Sequence, residues 1–166
     1  MRFRYSILVL LASALVLGGA GASHATTFGY SASLSGANEV PANPSPGTGS
    51  AFLVYDDVAN TLTTSISFCG LTAGLTASHI HGPAAPGVNA GVLHGFPATP
   101  LGSMCGSYGD VWSGLTATQV GYLNDGLLYI NLHTTNFPGG EIRGQIYPDA
   151  TPSRPMSWGR IKMLYR

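Results

Sequence analysis

Thr61-Leu62-Thr63-Thr64-Ser65-Ile66-Ser67-Phe68-Cys69 alternates without a break: Leu62, Thr64, Ile66 and Phe68 fall on one face, and Thr61, Thr63, Ser65 and Ser67 on the other. A period of two describes a strand with one dry and one wet side, which favours an antiparallel sheet over a parallel sheet covered by helices. The threonines agree, because branched side chains lose rotamer freedom in a helix and pack well on a pleated surface.

The same period extends to both sides of that stretch. Upstream, residues 27–34 place Phe28, Tyr30, Ala32 and Leu34 in phase, and residues 50–56 form a second strand returned by a turn at 57–60. Between them Pro41, Pro44 and Pro46 forbid an interior strand, so residues 35–48 are a surface loop. Downstream, Ser78-His79-Ile80-His81 alternates until Gly82-Pro83 stops it, and residues 82–89 are a second loop. Residues 90–96 hold a short strand containing His94, residues 97–109 are irregular, and residues 108–112 are extended. One helix is expected at residues 116–124, with Thr116 as N-cap, Gln119 three residues later, and Leu115 and Val120 as an apolar staple. The last two strands, 126–134 and 140–147, direct Leu128, Ile130, Leu132, Ile142 and Ile146 inward, and Tyr129, Asn131, His133, Glu141, Arg143 and Gln145 outward. The fold class is therefore all-β: an antiparallel Greek-key β-sandwich or small barrel of about seven to eight strands.

Residues 1–25 read as an export signal: Met1-Arg2-Phe3-Arg4 is basic, the run that follows is apolar, and Ser23-His24-Ala25 has the small-x-small pattern that precedes cleavage. The strongly apolar part, residues 7–17, falls short of the roughly 20 residues needed to span a bilayer. No later stretch reaches that length, so the processed chain is expected to be secreted or periplasmic with no transmembrane segment. Residues 26–150 form one domain whose only base is Arg143, against Glu39, Asp56, Asp57, Asp110, Asp125, Glu141 and Asp149. An acidic body of this kind excludes a nucleic-acid backbone as partner. The compensating charges, Arg154, Arg160, Lys162 and Arg166, sit in a loosely held tail, residues 151–166. Cys69 and Cys105 lie in the exported part without a Cys-x-x-Cys spacing, so one structural disulfide is expected.

No catalytic set is legible: no Ser-His-Asp order, phosphate loop or dinucleotide fingerprint occurs, and Ser78 and His79 point to opposite faces of their strand. The residues with most chemical potential are His79, His81 and His133, all outward by alternation. Three imidazoles converging on neighbouring strands would suit copper or zinc, and His94 is a further candidate. The bland alternative is that each histidine fixes a loop through a hydrogen bond. Glu141 and Arg143 share the outward face of the last strand. An ion pair of Arg143 with Glu141, Glu39 or Asp110 is the ordinary expectation, and Glu141 could instead orient His133 through its far nitrogen.

Several stretches together resemble the CHRD domain, a module named after chordin and also found in bacterial exported proteins. They are Leu34-Ser35-Gly36-Ala37-Asn38-Glu39-Val40-Pro41, the Gly70 to Leu75 turn, Ser78-His79-Ile80-His81-Gly82-Pro83-Ala84, and the long segment from Gly126 through Asn131-Leu132-His133 and Phe137-Pro138-Gly139-Gly140-Glu141-Ile142-Arg143-Gly144-Gln145-Ile146. The resemblance implies an all-β, non-enzymatic binding or structural module of the envelope or extracellular space, with a protein partner there. The Gly-Leu-Thr-Ala-Gly-Leu turn before His79-Ile80-His81 is also similar to the strand of copper/zinc superoxide dismutase that supplies two copper ligands. That enzyme's pattern needs further histidines and an aspartate in a zinc loop. Residues 82–89 contain neither, which counts against dismutase chemistry.

Overall fold

The computed structural model describes residues 25–97 and 99–149. The export signal, up to residue 24, and the basic tail therefore lie outside the described residues. The strands are β1 (Thr27–Ser35), β2 (Thr48–Asp56), β3 (Thr61–Cys69), β4 (Leu75–His81), β5 (Val92–Gly95), β6 (Gly106–Ser113), β7 (Tyr129–Thr134), β8 (Ile142–Gln145) and the two-residue β9 (Tyr147–Pro148). They form one sheet in the order β5-β4-β7-β8-β1-β2-β3-β6, with β9 added to β1, and every pairing is antiparallel.

Between the two expected architectures the chain adopts the barrel. The end strands β5 and β6 face each other across the sheet and are joined by side chains. His94 Nε2 lies 2.5 Å from Asp110 Oδ2, and the His94 ring stacks on Trp112 with centroids 5.0 Å apart. Phe96 meets Tyr108 edge to face, and the Tyr108 hydroxyl donates to Ser78 Oγ on β4. A curled sheet of this kind has one interior, filled by the inward residues of every long strand, among them Leu53, Leu62, Ile66, Ile80, Ile130 and Ile142. The inward phase read from residues 61–69 holds: Leu62, Thr64, Ile66 and Phe68 are buried.

The single helix, α1 (Ala117–Asn124), starts as expected. Thr116 accepts from the Gln119 amide while the Gln119 side chain accepts from the Thr116 amide, which satisfies orphan donors at both places. Cys69 and Cys105 are bonded, tying the end of β3 to the entry of β6. The excursion between β5 and β6 is also laced to the β3–β4 turn, through Leu71 N to Met104 O, Leu75 N to Ser103 O and Gly102 N to Leu75 O.

One expectation fails in a way that matters. Alternation placed Tyr129, Asn131, Glu141, Arg143 and Gln145 on the outer face, and that is where they stand, but all five are buried rather than wet. The loop of residues 82–91 and the segment of residues 36–43 fold over the outside of β7 and β8; Val88, Ala84 and Glu39 accept from the Arg143, Gln145 and Asn131 side chains, and Asn43 donates to the Gly140 and Glu141 carbonyls. Period two reports the side of the sheet and not what covers it. The outer face of β2 and β6 does remain open, with Phe52, Val54 and Val111 exposed.

The disulfide closes a loop of sequence separation 36, for which a chain-entropy estimate is about 3–4 kcal/mol. The variant carrying both Cys69→Ser and Cys105→Ser should lose stability by that order in urea unfolding. Wild-type protein unfolded in reductant should lose the same amount, and equal midpoints with and without reductant would contradict the estimate.

Candidate metal centre

β4 and β7 are neighbours with Ala77 opposite His133, His79 opposite Asn131 and His81 opposite Tyr129. On their shared outer face this register sets His133 diagonally beside His79, with His81 two residues along the same strand. Ring centroids are 5.0 Å apart for His79 and His133, 5.6 Å for His79 and His81, and 5.8 Å for His81 and His133. One ring nitrogen from each residue lies within 4.8 Å of the others. His94, the fourth candidate, is not part of this group: its Nε2 is held by Asp110 at the barrel seam.

Backbone carbonyls set the tautomers. His81 Nδ1 is 3.0 Å from Ala90 O, and His133 Nδ1 is 3.0 Å from Pro138 O. A carbonyl can only accept, so both Nδ1 atoms carry hydrogen, and each neutral ring keeps its lone pair on Nε2. His79 Nδ1 is 3.1 Å from His133 Nε2 and donates to that lone pair. His81 Nε2 is buried and has no partner, a condition that costs free energy unless something fills it. Burial holds all three imidazoles below their ordinary pKa. The Ala90 and Pro138 carbonyls oppose that shift for His81 and His133, and the neighbouring cationic groups reinforce it.

Behind the histidines lies a polar layer of which sequence reasoning singled out Arg143 but not its neutral partners. The Tyr129 ring stacks on His81 at 5.0 Å, and the Arg143 guanidinium carbon sits 3.5 Å from the centroid of the same ring. Because β7 lies between β4 and β8, histidine and arginine come from the strands on either side of Tyr129. Ala90 clamps two of these groups, its carbonyl taking His81 Nδ1 and its amide donating to the Tyr129 hydroxyl. Arg143 donates to Val88 O, Asn89 Oδ1 and Gln145 Oε1. The available signal was that Arg143 stands alone as a base in an acidic body, in a strand whose outward partners Asn131 and Gln145 are uncharged amides.

The expected ion pair is absent. Among the described residues the one salt bridge is His94–Asp110, and no carboxylate approaches Arg143 within bonding distance. Glu141 is occupied elsewhere: it accepts from Ser45 Oγ, the Thr72 amide and Thr134 Oγ1, and so pins three segments at one end of the barrel. Burial raises its pKa, but those hydrogen bonds outweigh burial and leave it low. The orienting role on His133 belongs to the Pro138 carbonyl rather than to Glu141.

Glu39 behaves in the opposite way. Burial pushes its carboxyl up to about 7, against the opposing pull of Arg143 and a donor from Asn131 Nδ2. Glu39 Oε1 and Asn131 Oδ1 have no partners, and both lie beside the position a Gly140 side chain would occupy. A proton on the carboxyl supplies the donor that this pair of acceptors lacks.

A family model described as the CHRD domain matches residues 30–146, which takes in every strand from β1 to β8 and all three converging histidines. No curated protein and no solved structure gives a match. Among the described residues no helix is long and apolar enough to cross a membrane.

The Glu39 shift predicts a pH dependence. Between the unfolded value of 4.5 and the folded value of about 7, the unfolded chain has released a proton that the folded chain keeps. Stability should therefore fall as pH rises through that window and level off above it. Glu39→Gln carries an amide donor at every pH, so its melting temperature should exceed that of wild type by a few degrees at pH 8 and match it near pH 4. Parallel melting curves for the two proteins from pH 4 to 8 would show that the carboxyl does not titrate in this way.

Proposed function

The chain belongs to the CHRD domain family, and from that premise we propose that it is an exported, non-catalytic module whose outer face binds one Cu(II) or Zn(II) ion through His79, His81 and His133. The observation that carries the reading is the convergence of three ring nitrogens within 4.8 Å on two adjacent strands. Nitrogen–metal bonds are about 2.0–2.1 Å, so tetrahedral ligands stand about 3.3 Å apart. The His79–His133 pair, at 3.1 Å, is already close to that spacing. Closing the widest separation, 4.8 Å, to that spacing takes a shift of about 1.5 Å.

The donor set is chemically selective. Neutral imidazoles suit copper and zinc, whereas calcium and magnesium need oxygen ligands. In His81 and His133 the far nitrogen is held by a backbone carbonyl, the arrangement that fixes ring orientation around bound metals. His79 would pass its Nδ1 hydrogen to Nε2, which no protein atom restrains. His79 and His133 are partly exposed, so a fourth position stays open to water or to a group from a partner. Among the described residues, the side chains that bond to the three imidazoles are those imidazoles themselves, an arrangement that supports binding over catalysis. The disulfide and the family membership support a location outside the cytoplasm. Residues 1–25 would supply the export signal, removed before the module folds.

Protein purified without an affinity tag should take up one equivalent of copper or zinc by titration calorimetry and elemental analysis. Free metal at about 100 times Kd should raise stability by about 2.7 kcal/mol. His81→Ala and His133→Ala should abolish both effects, while His94→Ala should keep both. Failure of wild type to retain either ion or to gain thermal stability from it would end the proposal.

A further inference from the structure

The barrel leaves one broad face uncovered. On the outside of β2, Phe52 is 66% exposed and Val54 45%, and Val111 on β6, aligned with Val54 through Thr63 of β3, is 52% exposed. The positions around them, Ser50, Ser65, Ser67, Ser107 and Gly109, carry no charge. Natural sheets usually guard such a face with lysine or another charged side chain. Among the described residues the nearby charges are all acidic: Asp56 and Asp57 at the β2 end and its turn, and Asp149 beside Gly29 and Ser31.

The point where the described chain stops bears on what covers this face. The Asp149 amide donates to Gly29 O, and Ser31 Oγ donates to Asp149 Oδ1. Gly29 and Ser31 stand on the outer side of β1 and are the direct cross-strand partners of Val54 and Phe52. The described chain therefore stops at Asp149 with β1 between it and the patch, and the Asp149 carboxyl lies on the patch's side of the sheet. Residues 150–166 carry Met156, Trp158, Ile161, Met163, Leu164 and Tyr165, interspersed with Arg154, Arg160, Lys162 and Arg166. At about 3.3 Å per residue, the step from 149 to 156 spans up to about 23 Å, whereas the four strand spacings from β9 to β6 come to about 19 Å at about 4.8 Å each.

We propose that residues 150–166 dock across the outer face of β2, β3 and β6, with their apolar side chains on Phe52, Val54 and Val111 and their cations beside Asp56 and Asp57. The complementarity is specific in both respects. The tail supplies bulky apolar groups to an uncharged hydroxyl-lined face, and it supplies nearly all the cations available to an otherwise acidic body. Trp158 and Tyr165 bring the largest burial per residue ordered, which offsets the entropy lost when the segment is fixed.

Trypsin reads this contact selectively. In the body, Arg143 is buried, and Arg154 precedes Pro155, which blocks cleavage, so the sites left to trypsin in the processed chain are Arg160 and Lys162. Cleavage there in the processed full chain should be at least about tenfold slower than in the synthetic 150–166 peptide, because cutting requires the segment to open first. Phe52→Asp combined with Val111→Asp should restore the peptide rate. The milder Phe52→Ser should give an intermediate rate, with the body's melting temperature and far-ultraviolet spectrum kept, since both residues are exposed. Equal rates for wild type, variants and peptide would overturn the proposal. So would protection that grows with protein concentration together with a dimer in sedimentation, which would assign the face to a second copy. Protection seen only with anionic vesicles would likewise assign the tail to a surface outside the molecule.

Discussion

A guanidinium buried beneath a loop, with no carboxylate within bonding distance among the described residues, is the constraint on which the outer half of this molecule depends. Arg143 is satisfied by neutral groups: the Val88 carbonyl, two side-chain amides and the face of Tyr129. Buried charges are costly unless every donor finds an acceptor, so the segment that brings Val88 and Asn89 cannot lie elsewhere without stranding the cation. The same segment ends in Ala90, whose carbonyl and amide position His81 and Tyr129. One buried arginine thus determines where residues 82–91 run, and that course determines which nitrogen of His81 is free.

The interior is conventional by comparison. It is a curled antiparallel sheet whose inward residues are aliphatic and aromatic, with the disulfide and three backbone hydrogen bonds tying the long excursion after β5 to the β3–β4 turn. Division of labour between the faces follows from the loops. Where they are long and rich in proline and glycine, around residues 36–47 and 82–91, the outer face of the sheet is roofed and polar. Where the connection is a tight turn, at residues 57–60, the outer face stays open.

Much of this was legible in the sequence. Residues 61–69 are a strand to the residue, Thr116 caps the helix with Gln119, and the cysteines pair. Alternation also put His79, His81 and His133 on one side, and the pairing of β4 with β7 brings them together. What could not be read was non-local. Alternation cannot say that a loop will return over a strand's far side, so Asn131 and Gln145 looked like surface residues. Nor can it choose among hydrogen-bond partners for a carboxylate, so Glu141 stood with Glu39 and Asp110 as a candidate partner of Arg143, when Ser45, Thr72 and Thr134 claim it. His94 was a further candidate ligand, but its aspartate partner, 16 residues on in the next strand, reaches it only because the sheet curls and brings its two end strands together.

The line between β5 and β6 has a mechanical meaning. Every other strand boundary around the wall carries backbone pairing, even β8–β1 with its single register pair at Ser35 and Arg143 beside β9, but this one is fastened by an imidazole–carboxylate contact and a few stacked rings. A cylinder with one such line parts there first under thermal agitation, because no row of amides has to let go in concert. The gap would open onto the oily lumen beside Trp112 and Tyr108, while the three clustered histidines, mounted on β4 and β7 and braced by their own loop, would ride along undisturbed.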